Sequence, residues 1–215
     1  MRPSKTMDAY LFVAVSTLFT LVNPLGAIGP FLAMTAGEPM DRRRAQAGRA
    51  SAVAAGVLAG SALVGSFVFS FFGITLPALK IAGGVLLFFI AFDMVNARQS
   101  RTKNTPEEQT EGELKEDIAV FPLGIPILAG PGSIVSVFVL SEQAQTITNQ
   151  ISLYGAIAIT GLTIYMTLRE AHRVANLLGQ TGINVFSRLM GVVLAAISVQ
   201  FVIDGIHAGF PGLGR

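Results

Sequence analysis

The sequence predicts an all-α membrane protein with six transmembrane helices, arranged as two inverted three-helix repeats in which helices 1 and 4 are broken by Pro/Gly motifs. Only 13% of the 215 residues are charged and 52% are hydrophobic, whereas an ordinary soluble domain carries about 25% charged residues. The charged residues cluster between long apolar runs. A helix that is apolar all round lies in lipid or deep inside a large protein, and this chain is too short to shield six of them from water.

Six stretches come close to the length of about 20 apolar residues that crosses a bilayer. They are roughly 8–34, 50–72, 78–97, 118–140, 151–169 and 188–208. A cleaved signal peptide is the alternative for the first stretch. We reject it because the apolar run is interrupted at Asn23-Pro24-Leu25-Gly26 and exceeds the roughly 7–15 residues of a signal h-region.

Lys and Arg residues set the predicted orientation. Eleven of them lie after spans 1, 3 and 5, namely Arg42, Arg43, Arg44, Arg49, Arg98, Arg101, Lys103, Lys115, Arg169, Arg173 and Arg188. The opposite side carries Arg2, Lys5, Lys80 and Arg215. Because cytoplasmic loops carry the excess of positive charge, both termini are expected outside the cytoplasm.

The two halves of the chain share a pattern. In span 1, Pro24-Leu25-Gly26 is followed by Gly29-Pro30, and in span 4, Pro122-Leu123-Gly124 is followed by Gly130-Pro131-Gly132. An offset of 108 residues also pairs Lys80 with Arg188, Gly83 with Gly191 and Asn96 with Asp204. Because each half has an odd number of spans, the second half begins on the opposite side of the membrane and is inverted relative to the first. The predicted organisation is 1–99 as the first repeat, 100–117 as a polar cytoplasmic linker and 118–215 as the second repeat.

Both Pro/Gly motifs should unwind their helices, because Pro removes a backbone donor and Gly leaves helical geometry easily. Freed backbone groups cannot face lipid, so they must line an enclosed polar cavity. A half-helix start offers N–H groups and a half-helix stop offers carbonyls. Together they suit a zwitterion such as an amino acid, with the side-chain oxygen of Asn23 accepting from its ammonium group. The predicted substrate-binding residues are Asn23, Pro24, Leu25, Gly26, Gly29, Pro122, Gly124, Gly130, Pro131, Gly132 and Ser133.

The alternative is that Pro and Gly are only tolerated kinks, as in many membrane helices. For one break that alternative would be preferred. Two breaks at matching places in an inverted repeat instead indicate the binding site of a secondary transporter.

Four further polar residues lie near the ends of spans 3 and 6: Asp93, Asn96, Asp204 and His207. Intramembrane acids often relay protons or ions, so these residues are candidates for such a relay. The alternative is an interfacial group already in water. Span 2 carries the pair Gly56 and Gly60, and this GxxxG spacing predicts a helix-packing face.

Several classes of function are not expected. The chain has no Cys, and its two histidines are far apart in sequence, so we expect no metal site and no bound cofactor. A Walker A motif, an HExxH motif and a GxSxG elbow do not occur, so neither direct ATP coupling nor an enzyme activity is expected. The basic residues form no stripe with interleaved aromatics, which argues against nucleic acid as a partner.

The chain resembles the MarC family of integral membrane proteins. The resemblance rests on the break Asn23-Pro24-Leu25-Gly26, on the segment Pro122-Leu123-Gly124-Ile125-Pro126-Ile127-Leu128-Ala129-Gly130-Pro131-Gly132-Ser133, and on the spacing of six spans, from about Asp8 to Gly209. It implies a multi-pass protein of the plasma (inner) membrane. It also implies a secondary transporter related to those of small neutral amino acids such as glycine and alanine, for which H⁺ or Na⁺ is the expected coupling ion.

Two other functions remain open at this stage. One is export of another small metabolite or a drug, and the other is a membrane scaffold that transports nothing. The lipid bilayer and a small-molecule substrate are the expected partners. The sequence leaves open the exact substrate, the coupling ion, the direction of transport and any role in drug resistance. It also leaves open the oligomeric state, for which a homo-oligomer is one option.

Overall fold

The computed structural model describes residues 7–96 and 119–210, which form helices and no strand. The predicted linker 100–117 lies outside these residues. The helices are α1 (Met7–Val22), α2 (Ile28–Met34), α3 (Met40–Phe72), α4 (Leu76–Val95), α5 (Ala119–Leu128, of the wider π type), α6 (Pro131–Gln143), α7 (Ile147–Arg169) and α8 (Ala171–Gly209).

Four segments within these helices are long and apolar enough to cross a membrane: Met40–Gly65, Leu76–Val95, Ile147–Arg169 and Ala171–Gly209. They correspond to the predicted spans 2, 3, 5 and 6. The predicted spans 1 and 4 are each divided into two shorter helices, α1 with α2 and α5 with α6. The described part is therefore an all-helical fold that fits a membrane protein.

Two helices begin earlier than the apolar stretches predicted. Helix α3 begins at Met40 and carries Asp41 in its first turn, so the basic cluster Arg42–Arg44 lies on a helix and not in a loop. Helix α8 begins at Ala171 and bends at Gly179, which has φ 63° and ψ 173°. The predicted starts were too late because apolarity marks only the part of a helix that lies in lipid. Arg, Ala and Gln are good helix formers in water too, so a helix can begin before its apolar stretch. An acidic residue near a helix start is also stabilised by the helix dipole.

Side-chain caps and a glycine define several helix ends. Thr75 caps α4, its hydroxyl accepting from the Ala78 N–H at 3.4 Å, and Thr146 caps α7 by accepting from the Asn149 N–H at 3.2 Å. Helix α3 ends at Gly73, which has φ 65°. This left-handed conformation favours Gly because it has no Cβ.

The long helices pack as antiparallel pairs. Along α4 and α8, a Cβ added at Gly191 would lie 2.9 Å from the Cβ of Met94, and one added at Gly205 would lie 2.9 Å from the carbonyl oxygen of Pro77. Along α3 and α7, Gly48 faces Tyr165, and a Cβ at Gly161 would lie 3.1 Å from that of Ala55. Glycines thus let these backbones approach closely, as is common between membrane helices.

The predicted packing face at Gly56 and Gly60 does not pack within the described part of the chain. A Cβ at either position would have no neighbour within 4 Å. The outer surface is strongly apolar, and its exposed side chains include Phe67, Phe71 and Phe72 of α3. Such a surface is stable in lipid and would be unfavourable in water.

Candidate functional site

The first break lies between α1 and α2, and its centre is Asn23. This residue has φ 49°, the left-handed region that only Gly and, less often, Asn or Asp visit. Its side chain forms one hydrogen bond within the turn and another that connects the turn to α8. The Gly26 N–H donates to its Oδ1 at 3.3 Å, and its Nδ2 donates to the Ser187 hydroxyl of α8, also at 3.3 Å. The Asn23 residue is 7% exposed, so the unwound turn is enclosed by protein.

The two glycines of the first motif have different roles. A Cβ added at Gly26 would overlap the Asn23 amide nitrogen and lie 3.2 Å from the Ser187 hydroxyl. A Cβ added at Gly29 would meet nothing within 4 Å. Gly26 is therefore required for the close approach of the break to α8, whereas Gly29 is not crowded. Of the other predicted residues here, Pro24 is buried and Leu25 is half-buried.

The second break separates α5 from α6. Pro122 and Gly124 lie within the π-helical α5, where the Ala129 N–H donates to the Gly124 carbonyl five residues earlier at 3.0 Å. The chain therefore does not leave the helix at Gly124, since the wider turn accommodates the motif there. It leaves at Ala129 and Gly130, and Gly130 has the extended φ −75° and ψ 171°. A Cβ at Gly124 would lie 2.8 Å from Val53 Cγ1.

Helix α6 begins at Pro131, which is exposed, and turns Gly132 and Ser133 into the core. A Cβ at Gly132 would lie 2.7 Å from Ile90 Cδ1 and 3.0 Å from Leu87 Cδ2 of α4. The Ser133 hydroxyl donates to the Leu128 carbonyl at 3.4 Å, which is a long hydrogen bond. The first N–H groups of a helix lack intrahelical acceptors, so this helix start presents donors inside the protein.

The structure brings the two breaks to the same level of the core. The hydroxyl of Tyr10 donates to the Leu140 carbonyl at 2.7 Å, and Leu21 Cδ2 lies 3.7 Å from the place of a Cβ on Gly132. Helices α1 and α6 are therefore antiparallel, and the end of α1 lies beside the start of α6. Residues flanking both breaks share one apolar cluster: Val22, Ala27, Ile28, Leu128 and Ala129.

The four relay candidates lie at opposite ends of the α4–α8 pair. Asp93 and Asn96 are at the end where Gly191 contacts Met94, and Asp204 and His207 are at the other end. The Asn96 amide donates to the Phe92 carbonyl at 2.7 Å, and the Gln200 amide donates to Asp204 Oδ1 at 2.8 Å. Met94 and Pro77, which mark the two ends, lie about 25 Å apart along α4 at a rise of about 1.5 Å per residue. The four residues are thus two separate groups, and a relay through them stays a prediction.

Three polar residues near the breaks were not singled out from the sequence. Ser187 bonds the Asn23 amide, Thr17 of α1 is 5% exposed and Ser136 of α6 is fully buried. For Thr17 and Ser136, the sequence offers one pattern that could have drawn attention to them. Thr17 precedes Asn23 by six residues, and Ser136 follows Gly130 by six. Ser187 carries no such signal, because its proximity to Asn23 depends on how α8 folds back.

An apolar groove lies elsewhere, between α4 and α8. Its volume is about 270 Å³, and it is lined by Gly84, Val85, Phe88, Phe89, Ser198, Val199, Val202 and Ile203. Of these lining residues only Ser198 is polar, and its buried hydroxyl donates to the Ala195 carbonyl at 2.7 Å. The groove therefore presents an almost wholly apolar wall, and we do not assign the zwitterionic substrate to it. Within the described residues, no cluster of His, Asp and Glu could hold a metal ion.

Comparisons with known proteins establish the family of the chain. The family model described as "MarC family integral membrane protein" matches residues 9–210, which include both breaks. The chain belongs to the MarC family. It is 38% identical to the UPF0056 membrane protein MJ1677 of Methanocaldococcus jannaschii, over 92% of this chain and 96% of that protein.

Other relatives come from two bacteria. The UPF0056 membrane protein YhcE of Escherichia coli is 36% identical over 91% of both chains. The UPF0056 membrane protein YvbG of Bacillus subtilis is 34% identical over 96% of this chain and 99% of its own. No solved structure matches the chain. These relatives are named as membrane proteins. Because the chain belongs to a family of integral membrane proteins and contains several helices long and apolar enough to cross a bilayer, it is an integral membrane protein.

Proposed function

We propose that this MarC-family protein is a secondary transporter of small neutral amino acids such as glycine and alanine, working by alternating access. In this proposal the unwound backbone at the two breaks holds the substrate zwitterion. The observation that carries the proposal is the meeting of both breaks at one level of the core, with Leu21 beside Gly132.

The packing of the helices supports an inverted repeat. In such a repeat, equivalent helices of the two halves run in opposite directions. Helix α3 is antiparallel to α7, and α4 is antiparallel to α8. The two broken spans meet through α1 and α6, which are also antiparallel. Transporters built from inverted repeats place their substrate near the membrane midplane, at the discontinuous helices.

The chemistry of the breaks suits a zwitterion. The first turn of α6 would donate N–H groups to a carboxylate at its positive dipole end, and the weakly bonded Ser133 hydroxyl would add a donor. The freed carbonyls around Asn23 would accept from an ammonium group. Residues 23–27 and 129–133 contain no ionisable side chain, so the site would match a ligand whose net charge is zero.

The close packing around both breaks supports a small substrate and a protein that changes conformation to admit it. Gly26 is in contact with Asn23 and Ser187, and Gly132 is in contact with Leu87 and Ile90. A substrate could reach the freed backbone if α2 separated from α8, or if α6 separated from the two helices on which it packs, α4 and α1. These two separations would open the site toward opposite ends of the broken helices, as alternating access requires.

Uptake by the purified protein in proteoliposomes tests the proposal. We expect accumulation or exchange of labelled glycine and alanine, driven by an imposed H⁺ or Na⁺ gradient and absent from protein-free liposomes. Gly132→Ala should lower uptake because its Cβ would press on Leu87 and Ile90. The matched control Gly56→Ala, which has open space around it, should not. Folded protein that moves no small neutral amino acid would contradict the proposal, and uptake of another metabolite would favour an exporter of that compound.

A further inference from the structure

The α1–α6 interface contains a buried hydroxyl without a partner. Ser136 is fully buried, and its Oγ has no hydrogen-bond partner among the described residues. Leaving a buried donor or acceptor unsatisfied costs free energy, because the group has lost its hydrogen bonds to water. A hydroxyl of this kind inside one of the broken spans indicates a place where a polar ligand or water binds in another state of the protein.

The face of α6 that carries Ser136 is the face that packs on α1. Gly132 and Leu140 both contact α1, through Leu21 and Tyr10 respectively. Ser136 lies four residues from each of them, and helical residues at spacings of four share one face. Ser136 therefore points into the α1–α6 interface, midway between two observed contacts.

The opposing face of α1 carries Thr17 at the same level. Tyr10 and Leu21 contact α6, and Thr17 falls on their face because it lies seven residues after the first and four before the second. Thr17 is 5% exposed. In this antiparallel pair, Thr17 and Ser136 therefore face each other, about 9 Å along the helices from the breaks at a rise of about 1.5 Å per residue.

Further hydroxyls connect this pair to the breaks. Thr20 lies between Thr17 and Asn23, and Ser133 lies between Ser136 and Gly130. The Thr20 hydroxyl donates to the Ser16 carbonyl at 2.8 Å, so it keeps lone pairs free to accept. The interface thus has a polar strip that leads from the breaks toward the chain's amino-terminal end. We call these four residues (Thr17, Thr20, Ser133 and Ser136) the hydroxyl strip.

A hydrogen bond closes the far end of the hydroxyl strip. There the Tyr10 hydroxyl donates to the Leu140 carbonyl at 2.7 Å, in a buried position. Leu140 also accepts from the Ala144 N–H at the end of α6, so its carbonyl would stay bonded if Tyr10 moved away. The predicted orientation places this end on the extracytoplasmic side.

We propose that the hydroxyl strip is the route between the breaks and the amino-terminal side of the membrane, with Thr17 and Ser136 as a second binding station for the zwitterion. This inference rests on the proposed function. A hydroxyl can donate to a carboxylate and can accept from an ammonium group, so the station binds both ends of an amino acid without a net charge. The bond from Tyr10 to Leu140 breaks when the route opens.

Cysteine reactivity tests the route, since the natural chain contains no Cys. The Ser136→Cys variant, in proteoliposomes, is treated with a membrane-impermeant methanethiosulfonate reagent from the amino-terminal side. We expect labelling several-fold faster than in Thr160→Cys, the matched control, because Thr160 is 1% exposed and donates to Ala156 within its own helix at 2.8 Å. Glycine should slow the labelling, and Tyr10→Phe should accelerate it. Equal labelling of the two variants, or labelling unaffected by glycine in protein that takes up glycine, would overturn the inference.

A cross-link separates this inference from the proposed function. Oxidation of the double variant Thr17→Cys, Ser136→Cys should form a disulfide and abolish glycine uptake, and reduction should restore uptake. If the wild-type protein takes up glycine while the cross-linked variant does so equally well, the route is wrong and the proposed function stands. If the wild type transports no amino acid although Ser136→Cys is labelled several-fold faster than Thr160→Cys, the proposed substrate and the zwitterion station are wrong, and the route alone stands.

Discussion

Replacing Gly26 by Ala tests whether the first break is held against α8 as the structure shows. The new Cβ would overlap the Asn23 amide nitrogen and lie 2.9 Å from its Cγ. Asn23 would have to shift, and it would lose its bonds to the Gly26 N–H and to Ser187. Two hydrogen bonds contribute about 1 kcal/mol each, and overpacking adds about 1–3 kcal/mol, so we expect a loss of about 3–5 kcal/mol.

The matched control is Gly29→Ala, three residues further on. Its Cβ would meet nothing within 4 Å, and Gly29 lies inside α2, where Ala is favoured over Gly by about 0.5–1 kcal/mol. Thermal unfolding of the purified proteins measures the difference. For a chain of this size, 1 kcal/mol corresponds to about 2–4 °C, so Gly26→Ala should lower the Tm by roughly 6–20 °C and Gly29→Ala should leave it equal or higher.

Glycine uptake should follow the same order, since the turn at Asn23 forms part of the proposed site. Gly26→Ala protein that survives purification is expected to transport much more slowly than wild type, and Gly29→Ala should retain transport. The reasoning would be refuted if both variants had the same Tm and the same uptake rate, because the crowding at Gly26 would then have no consequence.

Three further predictions concern other parts of the fold. Asn23→Gly should lose only the side-chain hydrogen bonds, whereas Asn23→Ala should lose about 1–2 kcal/mol more, the penalty for a left-handed residue with a Cβ; equal losses in thermal unfolding would contradict this. Asp204→Asn and Asp93→Asn should weaken proton-driven glycine accumulation while counterflow persists, and unchanged accumulation would remove that residue from the relay. Gly84→Ala should lower the Tm, because its Cβ would lie 2.6 Å from a backbone carbonyl of α8, and Gly56→Ala should not; equal Tm values would argue against tight α4–α8 packing.

The breaks were predictable because their cause is local. Asn23-Pro24-Leu25-Gly26 and Gly130-Pro131-Gly132 interrupt helices through covalent geometry alone, and the structure unwinds at Asn23 and at Gly130. The prediction at Gly124 was less accurate, because a π-type turn absorbs a local disruption without ending the helix. The family resemblance was likewise predictable, since it rests on the same motifs.

Contacts between distant parts of the chain were not predictable from these motifs. The Asn23 partner Ser187 is 164 residues away, and no local pattern marks it. The pattern at Gly56 and Gly60 predicted packing, but the tight contacts occur at Gly84 and Gly191. A pair of small residues shows that a helix can be approached closely, and it does not show which helix approaches.

Hydrogen–deuterium exchange of the protein in lipid nanodiscs, with and without glycine, tests the central claim most directly. The proposed site binds the zwitterion through backbone groups, so glycine should slow amide exchange in segments 23–28 and 130–134. Segment 51–56 of α3 serves as an internal control and should be unaffected. Protection confined to other segments, such as those lining the α4–α8 groove, or no protection at either break in protein that transports glycine, would contradict the claim that the broken helices hold the substrate.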